Sequence, residues 1–214
     1  MKRLLTICAV VVLVVMNSTP AIGVITMDFE GMSDGQALGT YYLGVTFQSG
    51  TSGQDWVAGD STTNKYNTRS TNGSSWNAAT YWHHGNVFAW ADVPGDDGYI
   101  YFDNQDATYV ELDYCAASTL YLTAYDSGGN VIDTDNGPGN LWPGNTVGPG
   151  TLRVDWDGTN TIAYVYLHDV GNYWCVDDIK TDASDISIIP APGAILLGSI
   201  GVGLVGWLRR RRTL

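Results

Sequence analysis

TYVELDYCAASTLYLTAYDSGGNVI, Thr108 to Ile132, decides the fold class. Thr108–Tyr114 and Leu120–Tyr125 put apolar residues at every second position. Side chains along a strand alternate between its two faces, so each run predicts a half-buried strand. Asp126-Ser-Gly-Gly-Asn130 then reads as a hairpin loop, because Gly and Asn supply the positive φ that tight turns need. The same signature recurs outward along the chain. Ile25-Thr-Met-Asp-Phe29, Tyr42-Leu-Gly-Val-Thr-Phe47 and Tyr99-Ile-Tyr-Phe102 precede it. Thr151-Leu-Arg-Val-Asp-Trp156, Thr161 to His168 and Tyr173 to Ile179 follow, with Asp157-Gly-Thr-Asn160 as a turn. No stretch between the ends holds a helical period. About ten short strands without a βαβ rhythm predict an all-β chain, an antiparallel β-sandwich of jelly-roll type.

The ends obey different rules. Lys2 and Arg3 precede the apolar run Leu4 to Met16, and small residues stand at Ala21 and Gly23. This is the layout of a secretory signal peptide over residues 1–23, with cleavage expected after Gly23. The other end, residues 186–214, carries Pro190-Ala-Pro192, an apolar run from Gly193 to Leu208, and Arg209, Arg210, Arg211 and Arg212. The run approaches the ~17–25 residues needed to span a bilayer. Each guanidinium costs about 2.5–3.5 kcal/mol at the membrane centre, so the basic end is expected to stay cytoplasmic. Residues 24–185 then form one exported domain.

A Pro-x-Pro start, a Gly-rich apolar helix and a terminal Arg cluster resemble the PEP-CTERM sorting signal of bacterial surface proteins. The usual Pro-Glu-Pro is replaced here by Pro190-Ala191-Pro192. The resemblance implies cutting by an exosortase-type membrane protease and release to the cell surface or extracellular matrix. The same tail is also described as the C-terminus of ice-binding proteins. The alternative reading of the segment is a plain single-span membrane anchor.

Ten Lys and Arg stand against 22 Asp and Glu, and six of the ten cations sit in the two end segments. The domain between them keeps only Lys65, Arg69, Arg153 and Lys180, so four cations against 22 acids leave it at −18. A field of that sign repels nucleic acid and anionic lipid, and suits calcium, neutral sugars or a saline exterior. Cys8 leaves with the signal. Cys115 and Cys175 would meet an oxidising compartment, where a disulfide is allowed. Against a bridge, alternation puts Cys115 on the same side as Glu111 and Asp113.

Ser49–Thr80 and Asp133–Gly150 are dense in Ser, Thr, Asn, Gly and Pro, and read as long polar loops. Loops of that length in a compact domain are usually functional or poorly ordered. Trp56, Trp76 and Trp142 lie in them and are the candidate ligand contacts, since sugars want flat aromatic faces beside amide and carboxylate groups. Hydrophobic filler is the alternative for each. Trp90, in Val87-Phe-Ala-Trp90, reads as core.

The opening Asp28-Phe-Glu-Gly31, the middle Ala124 to Val131 and the closing Val176-Asp-Asp-Ile179 resemble β-sandwiches of the galactose-binding-like, carbohydrate-binding-module type. In those folds the first and last strands lie together, and acids on them often hold a structural calcium. The resemblance implies Asp28, Glu30, Asp177 and Asp178 as metal ligands. The residues add an argument of their own. Asp177 and Asp178 have apolar neighbours on opposite faces, so one carboxylate points inward and needs a metal or donors. Ordinary hydrogen-bonded acids are the other reading.

Little speaks for catalysis. His83 and His84 would point to opposite strand faces, His168-Asp169 lacks a motif nucleophile, and among 22 acids some pair is always near. The expectation is a non-catalytic surface or matrix protein whose calcium-stabilised domain binds glycan, with extracellular polysaccharide as the partner. A purely structural matrix protein, a glycan-active enzyme and an ice-binding protein are the alternatives, in that order.

Overall fold

In Tyr109–Ala116 the alternation sorts Val110, Leu112, Tyr114 and Ala116 into a common core, while Cys115 packs into a separate apolar cluster. The computed structural model describes residues 23–50, 54–60, 87–91, 97–140, 149–170 and 174–189. Its strands are β1 (Ile25–Met27), β2 (Tyr42–Leu43), β3 (Val45–Ser49), β4 (Val57–Asp60), β5 (Val87–Trp90), β6 (Gly98–Phe102) and β7 (Tyr109–Ala116). They continue with β8 (Leu120–Tyr125), β9 (Val131–Gly137), β10 (Gly150–Asp155), β11 (Tyr164–Asp169), β12 (Trp174–Thr181) and β13 (Ser187–Ile188). A 3-10 turn, Leu38–Thr40, is the helical element among the described residues. No described helix is long and apolar enough to cross a membrane. Of the signal and sorting segments expected from the sequence, residues 1–22 and 190–214, with Pro190 to Pro192 and Arg209 to Arg212, lie outside the described residues, whereas residues 186–189 are described and carry β13, paired with β2.

Besides a two-stranded pair, β13 with β2, two larger antiparallel sheets form among the described residues. One runs β10-β7-β12-β5-β4 with β1 paired to β12; the other runs β3-β6-β11-β8-β9. Val110, Leu112, Leu152 and Val176 from the first share one buried cluster with Ile100, Leu122, Val165 and Leu167 from the second. The described residues therefore form an all-β antiparallel sandwich. Each such side chain contributes ~1.5–3 kcal/mol on leaving water. The expected turn after β10 carries the chain from one sheet to the other. Asp157 Oδ1 accepts the N–H groups of Thr159 and Asn160, both at 2.7 Å, and Gly158 takes φ +85°.

The first described strand pairs with the last long one, as the resemblance implies: Ile25, Thr26 and Met27 stand opposite Thr181, Lys180 and Ile179. The simple alternation expected at Asp177-Asp178 does not hold. Asp178 adopts φ +45°, and the register between β12 and β7 slips between Asp177 and Lys180. That bulge adds one residue to the strand, so Val176 and Ile179 both face the core. Asp177 is 2% exposed and stands opposite Asp113.

Both expected loops shrink. Ser49–Thr80 contains β4, and Asp133–Gly150 contains most of β9. β9 looks like a loop because it is the edge strand of its sheet and carries acids where an inner strand would carry apolar residues. Those acids have partners: Asp133 Oδ2 accepts the N–H of Asp155, and Asp135 Oδ2 that of Arg153, each at 2.9 Å on the facing edge strand β10.

Candidate functional site

The second sheet turns an aromatic surface outward. Along β6, β8 and β11 the inward positions are Ile100, Phe102, Leu122, Ala124, Val165 and Leu167, all buried. The alternate positions carry Tyr99, Tyr101, Tyr121, Tyr125, Tyr164, Tyr166 and His168. Register lines them up in rows. Thr46, Tyr101, Tyr164, Tyr125 and Val131 form one; Gln48, Tyr99, Tyr166, Thr123 and Thr134 the next; His168, Tyr121 and Asn136 a third. Strands ~4.8 Å apart bring neighbouring rings into contact.

Ring centroids of Tyr125 and Tyr164 are 4.8 Å apart at 6°, and Tyr99 and Tyr101 are 5.7 Å apart at 14°. Tyr101–Tyr164, Tyr99–Tyr166 and Tyr121–His168 follow at 5.2, 4.8 and 4.9 Å. Stacked and tilted pairs at such distances gain about 0.5–1.5 kcal/mol each beyond their burial. Tyr121 is the most open ring, 37% exposed.

The five strands of this sheet, β3, β6, β8, β9 and β11, contain no lysine or arginine. Acids border it. Tyr166 donates its hydroxyl to Asp97 Oδ2 at 2.5 Å. Burial, then Asp97, pushes the Tyr166 hydroxyl well above the usual tyrosine range. Tyr164 is raised by burial first, then by Tyr125, Tyr99 and Asp126. Asp126 organises the hairpin tip beside it, accepting the N–H groups of Gly128 and Asn130 at 2.8 Å.

At the β3 edge the surface drops into a cleft of about 390 Å³ lined by Gly39, Tyr42–Gln48, Asp55 and Asp103. Thr46 and Gln48 belong to both the cleft and the tyrosine rows. Asp55 Oδ2 accepts the N–H of Gly39 at 2.7 Å, whereas its buried Oδ1 has no hydrogen-bond partner. Burial raises the Asp55 pKa against the N–H groups of Gly39 and Trp56.

The residues nominated from sequence fall elsewhere. Trp56 is a correction: it is 0% exposed, packed between Phe47 and Trp174 at 5.4 and 5.2 Å, so its ring offers no face to a ligand. Trp90 is core, as expected. Trp76, Trp142, His83 and His84 lie outside the described residues. The four nominated metal ligands do not form a nest. Asp28 Oδ1 accepts the N–H of Glu30, Glu30 Oε1 accepts that of Val87, and Asp177 Oδ1 that of Asp178. Among the described residues no three His, Cys, Asp or Glu side chains group as metal ligands would. Cys115 and Cys175, both thiols and both buried, stand directly opposite each other on β7 and β12. His168 sits among the tyrosines, and Asp169 accepts a hydrogen bond from Ser118 on the opposite side of the strand.

The tyrosine surface was not nominated from sequence. Its signal was present as Tyr99/Tyr101, Tyr121/Tyr125 and Tyr164/Tyr166, each pair in step along its own strand. What joins them is the strand order, which alternation alone does not give.

No family model matches the chain, and no curated protein does. Among solved structures, it is similar to TmCBM61 in complex with β-1,4-galactotriose: 11% identity, TM-score 0.38, covering 72% of this chain and 92% of that one. It is similar to a DUF4465 family protein from Bacteroides caccae: 10% identity, TM-score 0.44, covering 74% and 98%. A family 22 carbohydrate-binding module of Clostridium thermocellum Xyn10B gives 11% identity and TM-score 0.40, covering 77% and 96%. At these identities no residue's role passes from those proteins to this chain.

Proposed function

We propose that the chain is an exported, non-catalytic glycan-binding protein, sorted through its tail by an exosortase-type protease to the cell surface or extracellular matrix. The signal-like start, the Pro-x-Pro, apolar and Arg-rich end, and the net −18 between them support the export half. Structural calcium held by Asp28, Glu30, Asp177 and Asp178 is a separate proposal, and three of those carboxylates, Asp28, Glu30 and Asp177, already accept a backbone N–H.

One observation carries the binding half: the tyrosine rows on the outer face of the second sheet. Tyrosine offers a large, rigid contact with one hydroxyl at little conformational cost, which suits a ligand with both C–H patches and hydroxyls. Thr46, Gln48, Thr123, Thr134 and Asn136 supply further polar groups on the same rows. A structural matrix role without a ligand is the second reading. The near-parallel stack of Tyr125 on Tyr164 favours it, because each ring already spends a face on the other.

Affinity electrophoresis of the full-length protein through polysaccharide gels separates the two. Retardation by a polysaccharide, lost about tenfold in Tyr164→Ala or Tyr121→Ala at a temperature where both variants remain folded, is expected for binding. Mobility unaffected by every polysaccharide leaves the structural reading. Release of new reducing ends from a bound polysaccharide would refute the non-catalytic claim.

A further inference from the structure

The tyrosine face and its cleft differ from a neutral sugar platform in charge. The five strands of that sheet hold no lysine or arginine, while Asp97 Oδ2 accepts the Tyr166 hydroxyl and Asp126 anchors the hairpin tip that follows Tyr125. Within the cleft, the buried Oδ1 of Asp55 makes no hydrogen bond of good geometry, although the Trp56 N–H acts on the same carboxyl. A carboxylate oxygen withdrawn from water without a donor is costly, and a cation placed against it removes that cost. Aromatic rings add to the attraction for ammonium groups.

Resting on the glycan-binding reading above, we infer that the glycan is cationic: a polymer of amino sugars bearing free, protonated amines. Its sugar rings lie along the tyrosine rows, and one ammonium enters the cleft past Thr46 and Gln48 to meet Asp55. The ligand then carries the charge that the whole domain, at −18, lacks.

The test titrates the full-length protein with three oligosaccharides of equal length: a β-1,4-glucosamine oligomer, its fully N-acetylated counterpart and a β-1,4-glucose oligomer. The glucosamine oligomer should bind at least tenfold tighter than the other two in low salt. Raising sodium chloride from 20 to 300 mM, about a fourfold shortening of the screening length, should remove most of that preference. Asp55→Asn should weaken glucosamine-oligomer binding about threefold to tenfold and leave N-acetylated binding unchanged; equal weakening of both would overturn the cleft assignment. Should Asp55→Asn fold poorly, Asp103→Asn, which removes the other carboxylate lining the cleft, gives the same readout. Equal affinity for charged and neutral oligomers, or a preference that salt does not touch, overturns the inference and leaves glycan binding standing. Absence of binding by any of the three overturns both.

Discussion

Gly98 leaves the space that Trp56 and Trp174 fill: a Cβ at that position would overlap both indoles. The two rings meet at 5.2 Å and 67°, and Phe47 packs on Trp56 at 5.4 Å. This is where the first strand of one sheet's core meets the last strand of the other's. Gly98→Ala should therefore destabilise the domain by about 1–3 kcal/mol through overpacking. Urea denaturation should show a lower midpoint at an unchanged slope. A midpoint equal to the parent's would mean that the indoles have room to move.

That contact also explains how the sequence misleads about Trp56. A tryptophan among Gln54, Asp55 and a Ser-Thr-Gly stretch reads as a surface ring, yet it is core because a glycine 42 positions later makes the slot. Local pattern suffices where a strand is half-buried and regular, as in β8, whose bounds Leu120–Tyr125 are those of the alternating run. It fails where partners are remote. β9 hides as a loop because its acids answer β10, and the Asp177-Asp178 step hides a bulge because only φ reveals it. The tyrosine face lies between these cases: each strand's share is legible, the assembled rows are not.

Asp135 supports the second prediction. Its carboxylate caps the N–H of Arg153 on the exposed edge of β10, and Asp133 does the same for Asp155. Unpaired edge groups invite pairing with other chains, so these acids cover an edge that would otherwise be open. Asp135→Ala should cost about 1 kcal/mol and speed amide exchange at Arg153 several-fold, with Asp135→Asn, which keeps an acceptor, close to the parent. Exchange at Arg153 unchanged in the alanine variant would show that water serves the amide equally well.

Glu111 sets a pH dependence. Its carboxylate accepts from Lys180 Nζ at 2.9 Å and pairs with Arg153 at 3.2 Å, and Arg153 also lies over the Tyr109 ring at 4.4 Å. Lys180 first, then Arg153, hold the Glu111 pKa below its ordinary value against burial. A group depressed in the folded state adds stability that is complete above its unfolded pKa and is lost as pH falls through the folded one. The loss belongs below about pH 4. Glu111→Gln should lower stability by about 0.5–1 kcal/mol at pH 7, and the gap to the parent should close by about pH 3. A gap that stays constant across that range would assign the effect to packing instead.

Cys115 and Cys175 give the last prediction. They are Cα partners across antiparallel β7 and β12, buried together with Phe88 and Trp90 away from the main core. The expectation that Cys115 shares its side with Glu111 and Asp113 is correct, yet that side is polar at one end and apolar at the other. Direct antiparallel partners lie ~4.5–5.5 Å apart at Cα, inside the range a disulfide spans. Contact with the Cys115 thiol, then burial, holds the Cys175 thiol well above its ordinary pKa, so the folded pair exchanges slowly. Oxidation is therefore expected during folding outside the cell. The two thiols pass two electrons and two protons to an external disulfide, which leaves as two thiols. Protein recovered from the cell exterior should show no free thiol in denaturant and be lighter by two hydrogens than its reduced form. Reduction should cost ~4 kcal/mol for a loop of roughly 60 residues in the chain-entropy model. Two thiols reacting freely in the exported, denatured protein would end the idea, and leave the pair as buried packing between β7 and β12.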